Sequence, residues 1–299
     1  MVIADLGTLV HVIVSGVAVG STYALVALGF VLIYKASDVL NFAQGELMMV
    51  GGYLCFAYVA QLKLPFLPAF LLTLVTAALV GMLIELLFLR RLIGESVFTV
   101  MMVTVGLGGI LKSLVGLIWG EDDLALPSPF AYKTLAWSFA GGELYVAYSE
   151  LFNILTSAVL FGLFMLFFKF ARTGIAMRAT AEDQDTAFLM GISVKRVFAL
   201  SWAIASVVAA ASGIFYAEES YLHAQMGFIG LRAMPAAILG GIDSIAGAIL
   251  GGLTIGMVES FAGAYLGTGV RDIVAFVILI LVLMVRPYGF FGTQQLRRV

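Results

Sequence analysis

An all-α, polytopic integral membrane protein is the fold this sequence predicts, and two features carry the prediction. Hydrophobic residues make up 62% of the chain and charged residues 11%, whereas a water-soluble globule needs roughly a quarter of its residues charged. The apolar residues also fall in runs that match the ~20 residues a helix needs to cross a bilayer core.

The runs lie at 9–33, 39–60, 66–89, 97–119, 148–170, 198–217, 243–262 and 271–287. A shorter stretch marked by Gly and Pro, 225–241, is a ninth segment. No Lys or Arg precedes the first run and Asp5 does, with no small-residue cleavage site after it. It reads as a retained span and not as a secretory signal. The whole chain, 1–299, reads as one transmembrane domain of 8–9 helices.

Charge placement gives an orientation. Lys35, Arg90, Arg91, Lys169, Arg172, Arg178, Lys195, Arg196, Arg286, Arg297 and Arg298 are eleven of the sixteen basic residues. All eleven fall on one side if the N-terminus is outside and the spans alternate, so the C-terminus is cytoplasmic. Asp5, Glu121, Asp122, Asp123, Glu143, Glu150, Glu218, Glu219 and Asp272 collect on the other side. This orientation requires an odd number of crossings, so 225–241 crosses as a short or broken helix; the alternative is a re-entrant segment with one span boundary elsewhere placed differently. Pro235, which lacks a backbone donor, and Gly240–Gly241 mark the expected breaks.

Composition excludes several functions. A net charge of −2 offers nothing to nucleic acid, and Cys55 alone makes neither a disulfide framework nor a thiolate cluster. His11 and His223 are too far apart in sequence to suggest a metal site. No glycine-rich phosphate loop is present, so any ATP must be bound by another subunit. Pairs at the Gly-x-x-x-Gly spacing (Gly16/Gly20, Gly247/Gly251, Gly252/Gly256) indicate close helix contacts.

Two places carry polar groups worth pursuing. The first is the loop "ARTGIAMRATAEDQDTAFLMGISVKRV" at 171–197. Thr180 reads as an N-cap, Glu182 and Asp183 as the first turn, and Gly191 as the stop. Ala187, Phe188, Leu189 and Met190 have no core of their own to bury them. The loop is either a helix lying in the headgroups or a helix that docks on a soluble partner.

The second place is the set of polar residues inside the spans, each a functional hypothesis by default. In "VLNFAQGELM", Asn41 and Gln44 are expected on one helix face, capped by Ser37 or Asp38, with Gly45 between Gln44 and Glu46. Glu46 points elsewhere, to a partner helix or the headgroup zone. Lys112 either snorkels outward or meets a substrate carboxylate or a partner's acid. Glu85 reads as an ion-pair partner of Arg90 or Arg91. Arg232 and Glu259 line either the pathway or a helix interface.

"GSTYALVALGFVLIYKASDVLNFAQGELMMVGGYL" (20–54), "RTGIAMRATAEDQDTAFLMGISV" (172–194), "GLRAMPAAILGGIDSIAGAILGGLTIGMVES" (230–260) and "RPYGFFG" (286–292) resemble the LivH-type permeases of branched-chain amino acid ABC importers. That resemblance implies a second, LivM-type permease subunit, two cytoplasmic ATPases holding ATP and magnesium, and a periplasmic or lipid-anchored binding protein. This chain itself would hold no cofactor and catalyse no reaction. It would sit among lipid in the bacterial inner membrane. The resemblance makes 172–194 the coupling loop, with Arg172, Gly174, Arg178, Ala179, Glu182, Asp183, Ala187, Phe188, Leu189, Met190 and Gly191 seated on an ATPase. Relatives of this family also carry urea, short amides and aromatic acids. An ion-coupled secondary transporter would instead need paired carboxylates at mid-membrane and an inverted repeat, and neither is evident.

Overall fold

The computed structural model describes residues 6–130, 133–139 and 142–292; Asp5, Arg297 and Arg298 lie outside them. Among the described residues eleven α-helices follow one another: α1 Leu6–Ser37, α2 Gln44–Phe56, α3 Phe66–Leu87, α4 Val97–Trp119, α5 Tyr148–Phe170, α6 Arg172–Glu182, α7 Gln184–Leu189, α8 Val194–Glu219, α9 Gly227–Gly240, α10 Ile245–Tyr265 and α11 Thr268–Val285. Seven of them are long and apolar enough to cross a membrane: α1, α3, α4, α5, α8, α10 and α11.

Local chemistry sets the boundaries. Ser96 and Ser244 cap α4 and α10, their hydroxyls accepting from the backbone N–H of Thr99 at 3.2 Å and of Gly247 at 3.0 Å. One small departure from an all-helical chain is an antiparallel hairpin before α5. Strand β1 (Thr134–Phe139) pairs with β2 (Gly142–Ala147), Thr134 opposite Ala147.

The helices differ in what surrounds them. The most apolar stretch of α1 is 89% buried, while that of α11 is 6% buried. α1 is thus the axis of the fold, and α11 presents its apolar surface outward. The Gly-x-x-x-Gly pairs serve this interior: Gly16 and Gly20 of α1 meet the backbone of α10 at Met257 and Leu253. Gly247 and Gly251 meet α9 at Gly240 and Ala236. All three motifs pack within the chain. Phe66, Phe70, Phe130, Phe152 and Phe215 form a second cluster, with Phe130 stacked on Phe152 at 4.6 Å.

Contacts mark the two ends of the bundle. At one end, Lys35 Nζ donates to the Asp243 carbonyl at 2.7 Å, and Gln184 Nε2 donates to that of Ala36 at 3.1 Å. At the other end, Ser128 Oγ donates to Glu218 at 2.7 Å, and Leu124 pairs with Leu222. These are called the basic and acidic ends below.

Two expectations about spans need correcting. The second span starts later: α1 runs to Ser37, residues 38–43 are not helical, and α2 begins at Gln44 after an Ala43 cap. Asp38 has φ 54°, and the Ser37 hydroxyl donates to the Ile33 carbonyl at 2.8 Å, so neither caps α2. α2 closes in a π-helical turn at Ala57–Gln61. The segment 225–241 holds no break at Pro235, which sits inside a continuous α9. The interruption precedes that helix, where 220–226 runs without helix from the acidic end to Gly227. At about 1.5 Å per residue α9 is only about 21 Å long, so it covers the remaining part of the crossing. The second expected mark is present: Gly241 has φ 103° and begins the turn into α10.

Candidate functional site

The loop between α5 and α8 is two helices, not one capped at Thr180. Thr180 lies inside α6, buried, its hydroxyl donating to the Ala176 carbonyl at 3.0 Å. Asp183 is the break. Its carboxylate accepts from the Thr186 hydroxyl at 2.6 Å and the Thr186 N–H at 3.0 Å, capping α7. Those two bonds hold the Asp183 carboxyl below the usual carboxylate range. Glu182 ends α6, and Gly191, with φ 85°, supplies the stop expected of it.

This unit is fastened to the fold on one side and bare on the other. Gly174 lies against the Phe167 and Phe168 backbone, Met177 is buried, and Gln184 holds the end of α1. Ala187, expected to lack cover like its neighbours, is buried instead. Arg172, Arg178 and Ala179 are not in that buried set. Phe188, Leu189 and Met190 are 68%, 83% and 79% exposed. A soluble-facing loop does not expose three such side chains in a row without a surface to cover them.

The polar residues within the spans fall into three groups. Asn41 and Gln44 are wholly buried but do not share a helix face, since Asn41 lies in the loop before α2. They still meet: Asn41 Nδ2 donates to Gln44 Oε1 at 3.3 Å, and Asn41 Oδ1 accepts from the Ala43 N–H at 3.0 Å. Gln44 Nε2 then donates to the Ala205 carbonyl of α8 at 3.2 Å. Asn41 also borders a cavity of about 100 Å³ that reaches Glu85, Thr104 and Gln184. Glu85 forms the expected pair, its carboxylate accepting from Arg90 Nη2 at 2.8 Å and Nε at 3.2 Å.

Glu46 faces two other helices of the chain. Its carboxylate lies against Gly108 of α4 and Gly227 of α9, in space a Cβ at either position would fill. Gly45, beside it, touches the Gly227 carbonyl. Lys112, one turn from Gly108, does not extend to the acidic end. Its ammonium lies 5.5 Å from the centre of the Phe228 ring.

The third group surrounds α9 and α11. Arg232 Nη1 pairs with Asp272 Oδ1 at 2.9 Å. Glu259 is buried and accepts from the Tyr23 hydroxyl at 2.8 Å. The Ser212 hydroxyl donates to the Thr22 carbonyl at 3.2 Å, and His223 packs beside Tyr216.

This arrangement of buried polar contacts, outward apolar helices and one bare loop on a charged end is that of a membrane subunit. Residues 12–283 match the family described as "Branched-chain amino acid transport system / permease component". The chain belongs to that permease family. It is 34% identical over 306 residues to the "High-affinity branched-chain amino acid transport system permease protein LivH" of Escherichia coli strain K12, covering 95% of this chain and 96% of that one. The "High-affinity branched-chain amino acid transport system permease protein BraD" of Pseudomonas aeruginosa is 34% identical over 303 residues, covering 96% of this chain and 97% of its own. The "Probable branched-chain amino acid transport permease protein LivH" of Methanocaldococcus jannaschii is 31% identical over 100% of this chain and 98% of its own. A solved structure, "PsaBC from Streptococcus pneumoniae in complex with Fab", matches at TM-score 0.50 and 15% identity, covering 96% of this chain and 92% of that one. At that identity the likeness concerns the fold alone. This member of the permease family is therefore a multi-pass membrane transport protein.

Several residues of this permease were invisible to sequence reasoning. Tyr23, Gly108, Gly227 and Phe228 read as ordinary span residues, and Asp272 as one more acid of the acidic end. Their partners are far away in sequence (236 residues separate Tyr23 from Glu259), so only a charge inside a span hints that a partner must exist. Tyr23→Phe removes the hydroxyl and leaves Glu259 buried with one acceptor unmet. A loss of about 1–3 kcal/mol is expected, read as a lower unfolding temperature of the detergent-purified protein.

Proposed function

We infer that this chain is the permease subunit of an ATP-driven importer for branched-chain amino acids, one wall of whose translocation pathway it forms. The full-length likeness to permeases named for that transport carries the reading. The bare Phe188–Leu189–Met190 edge on the basic end supports its mechanical half.

In this reading the basic end is cytoplasmic, as the distribution of Lys and Arg requires, and the protein lies in the cell's inner membrane. A LivM-like permease subunit pairs with it, a binding protein delivers substrate to the acidic end, and two ATPases sit beneath. ATP and magnesium belong to those ATPases, and this chain holds no cofactor. α6 and α7 are the coupling element, with Phe188, Leu189 and Met190 filling a groove on an ATPase. Gln184 and the Gly174 contact pass movement of that element to α1 and α5. Because α1 is the axis of the fold, its displacement changes which end of the pathway is open.

Purification of the chain together with its neighbours' products is the test. The complex is expected to contain two ATPases, and proteoliposomes holding it are expected to accumulate leucine only with ATP and the binding protein. A chain that purifies alone and moves solute without ATP would overturn the reading.

A further inference from the structure

Charges that face outward in a membrane chain mark a surface that hydrocarbon does not cover. Among the described residues there is one such strip. Phe228 and Arg232 are one turn apart on α9, so they share a face, and both look outward: Phe228 is 61% exposed and the Arg232 side chain 42%. Lys112 of α4 lies over Phe228 at one end of the strip, and Asp272 of α11 pairs with Arg232 at the other.

Depth makes the strip unusual. At about 1.5 Å per residue, Lys112 is about 22 Å along α4 from its basic end and about 10 Å from its acidic end. Asp272, by contrast, is only about 6 Å from the acidic end of α11, four residues into that helix. Lys112 therefore lies well inside its span, where a charge facing lipid costs several kcal/mol. The two cations are not equivalent. Arg232 has its carboxylate, whereas among the described residues no carboxylate lies within 4 Å of the Lys112 ammonium. Its neighbour is the face of an aromatic ring that is itself open to the surroundings.

Resting on the importer reading above, we propose that the outward face of α9 is the wall along which substrate crosses, and that Lys112 receives the carboxylate of the amino acid there. The ring of Phe228 holds the ammonium from one side and leaves the other side open to an incoming anion. The apolar surface of that ring suits a branched aliphatic side chain. Glu46, held between Gly108 and Gly227 one turn away from Lys112, keeps the local charge near zero when the pathway is empty. An amino acid zwitterion then adds no net charge to the site.

The test uses the assembled complex in membrane vesicles, with Cys55→Ala as background. A thiol is introduced by Leu231→Cys, which keeps Phe228, and in a second variant by Phe228→Cys. Each is treated with a sulfonate-bearing and a trimethylammonium-bearing methanethiosulfonate. Both thiols are expected to react from water, the anionic reagent faster. Leucine, with its binding protein and ATP, is expected to slow the reaction. In the Leu231→Cys background, Lys112→Met is expected to lower the anion-to-cation rate ratio by roughly tenfold, the effect of removing one nearby positive charge, and Lys112→Arg to keep it. Labelling only by membrane-permeant reagents at both positions would overturn the proposal, placing the face against lipid or a partner subunit. An unchanged rate ratio in Lys112→Met would remove Lys112 from the role. ATP-driven uptake by the unaltered complex is read separately, so failure of the importer reading is distinguishable from failure of this one.

Discussion

Phe188→Glu combined with Leu189→Glu is expected to abolish ATP-driven uptake while leaving the chain folded in the membrane. Both side chains are already bare, 68% and 83% exposed, so the isolated subunit loses no packing when they change. The loss arises only on docking. Two apolar anchors disappear, and two carboxylates must give up their water to enter a groove, a change disfavoured by several kcal/mol. Truncating a single interface anchor commonly costs ~2 kcal/mol. The pair should therefore weaken ATPase association by well over about a hundredfold. Pull-down of the ATPases and ATP-dependent accumulation in vesicles should both fail, with the yield of the membrane subunit unchanged. Normal ATPase association in this double variant would show that α7 is not the docking helix.

Gly213→Val is expected to prevent accumulation of folded protein, an effect of a different origin. Gly213 of α8 touches the backbone of α2 at Met48 and Gly52, and a Cβ there falls on the Met48 carbonyl. Backbone cannot change rotamer to make room, so the helices would have to separate. Overfilling even a flexible core costs about 1–3 kcal/mol, and a backbone clash exceeds that range. Separation would also pull Gln44 away from the Ala205 carbonyl, stranding buried amide groups. Gly109→Ala is the control, since a Cβ there meets nothing within 4 Å. Expression level and size-exclusion profile in detergent report the outcome. A monodisperse Gly213→Val protein at normal yield would mean that α2 and α8 do not touch at this point.

The long spans were legible in the sequence because each buries or exposes apolar surface over its whole length, and the Lys and Arg gather at one end for the same electrostatic reason wherever a bilayer is present. The stop at Gly191 and the bareness of Phe188, Leu189 and Met190 were legible too, because both are local. What escaped sequence reasoning depends on partners distant in the chain. Thr180 looks as good a helix cap as Asp183, yet α6 already starts at Arg172 and carries Thr180 into its interior, leaving Asp183 at the break. Asn41 fits a helical period with Gln44, but packing of α1 through Ser37 delays the next helix until Gln44. Pro235 suggests a break that α9 absorbs, while the true interruption, 220–226, carries only ordinary residues. Glu46 and Lys112 were visible as charges out of place. Their surroundings, Gly108, Gly227 and Phe228, come from two other helices and leave no mark on the local pattern.

The shortness of α2 and α9 bears on how the protein is made. α9 has 14 helical residues, and α2 reaches 18 only with its π-helical turn, so both fall short of the ~20-residue length by which a helix enters a bilayer on its own. Each needs a protein surface to lie against. For α2 that surface includes Ala205 and Gly227, between which and Gln44 or Gly45 more than half the chain's length is synthesised. During biogenesis the second segment must therefore leave the insertion machinery before its seat exists, and its final placement waits for α8 and α9 to emerge. Maturation of this subunit is set by the emergence of α8 and α9, not by the order in which its spans appear.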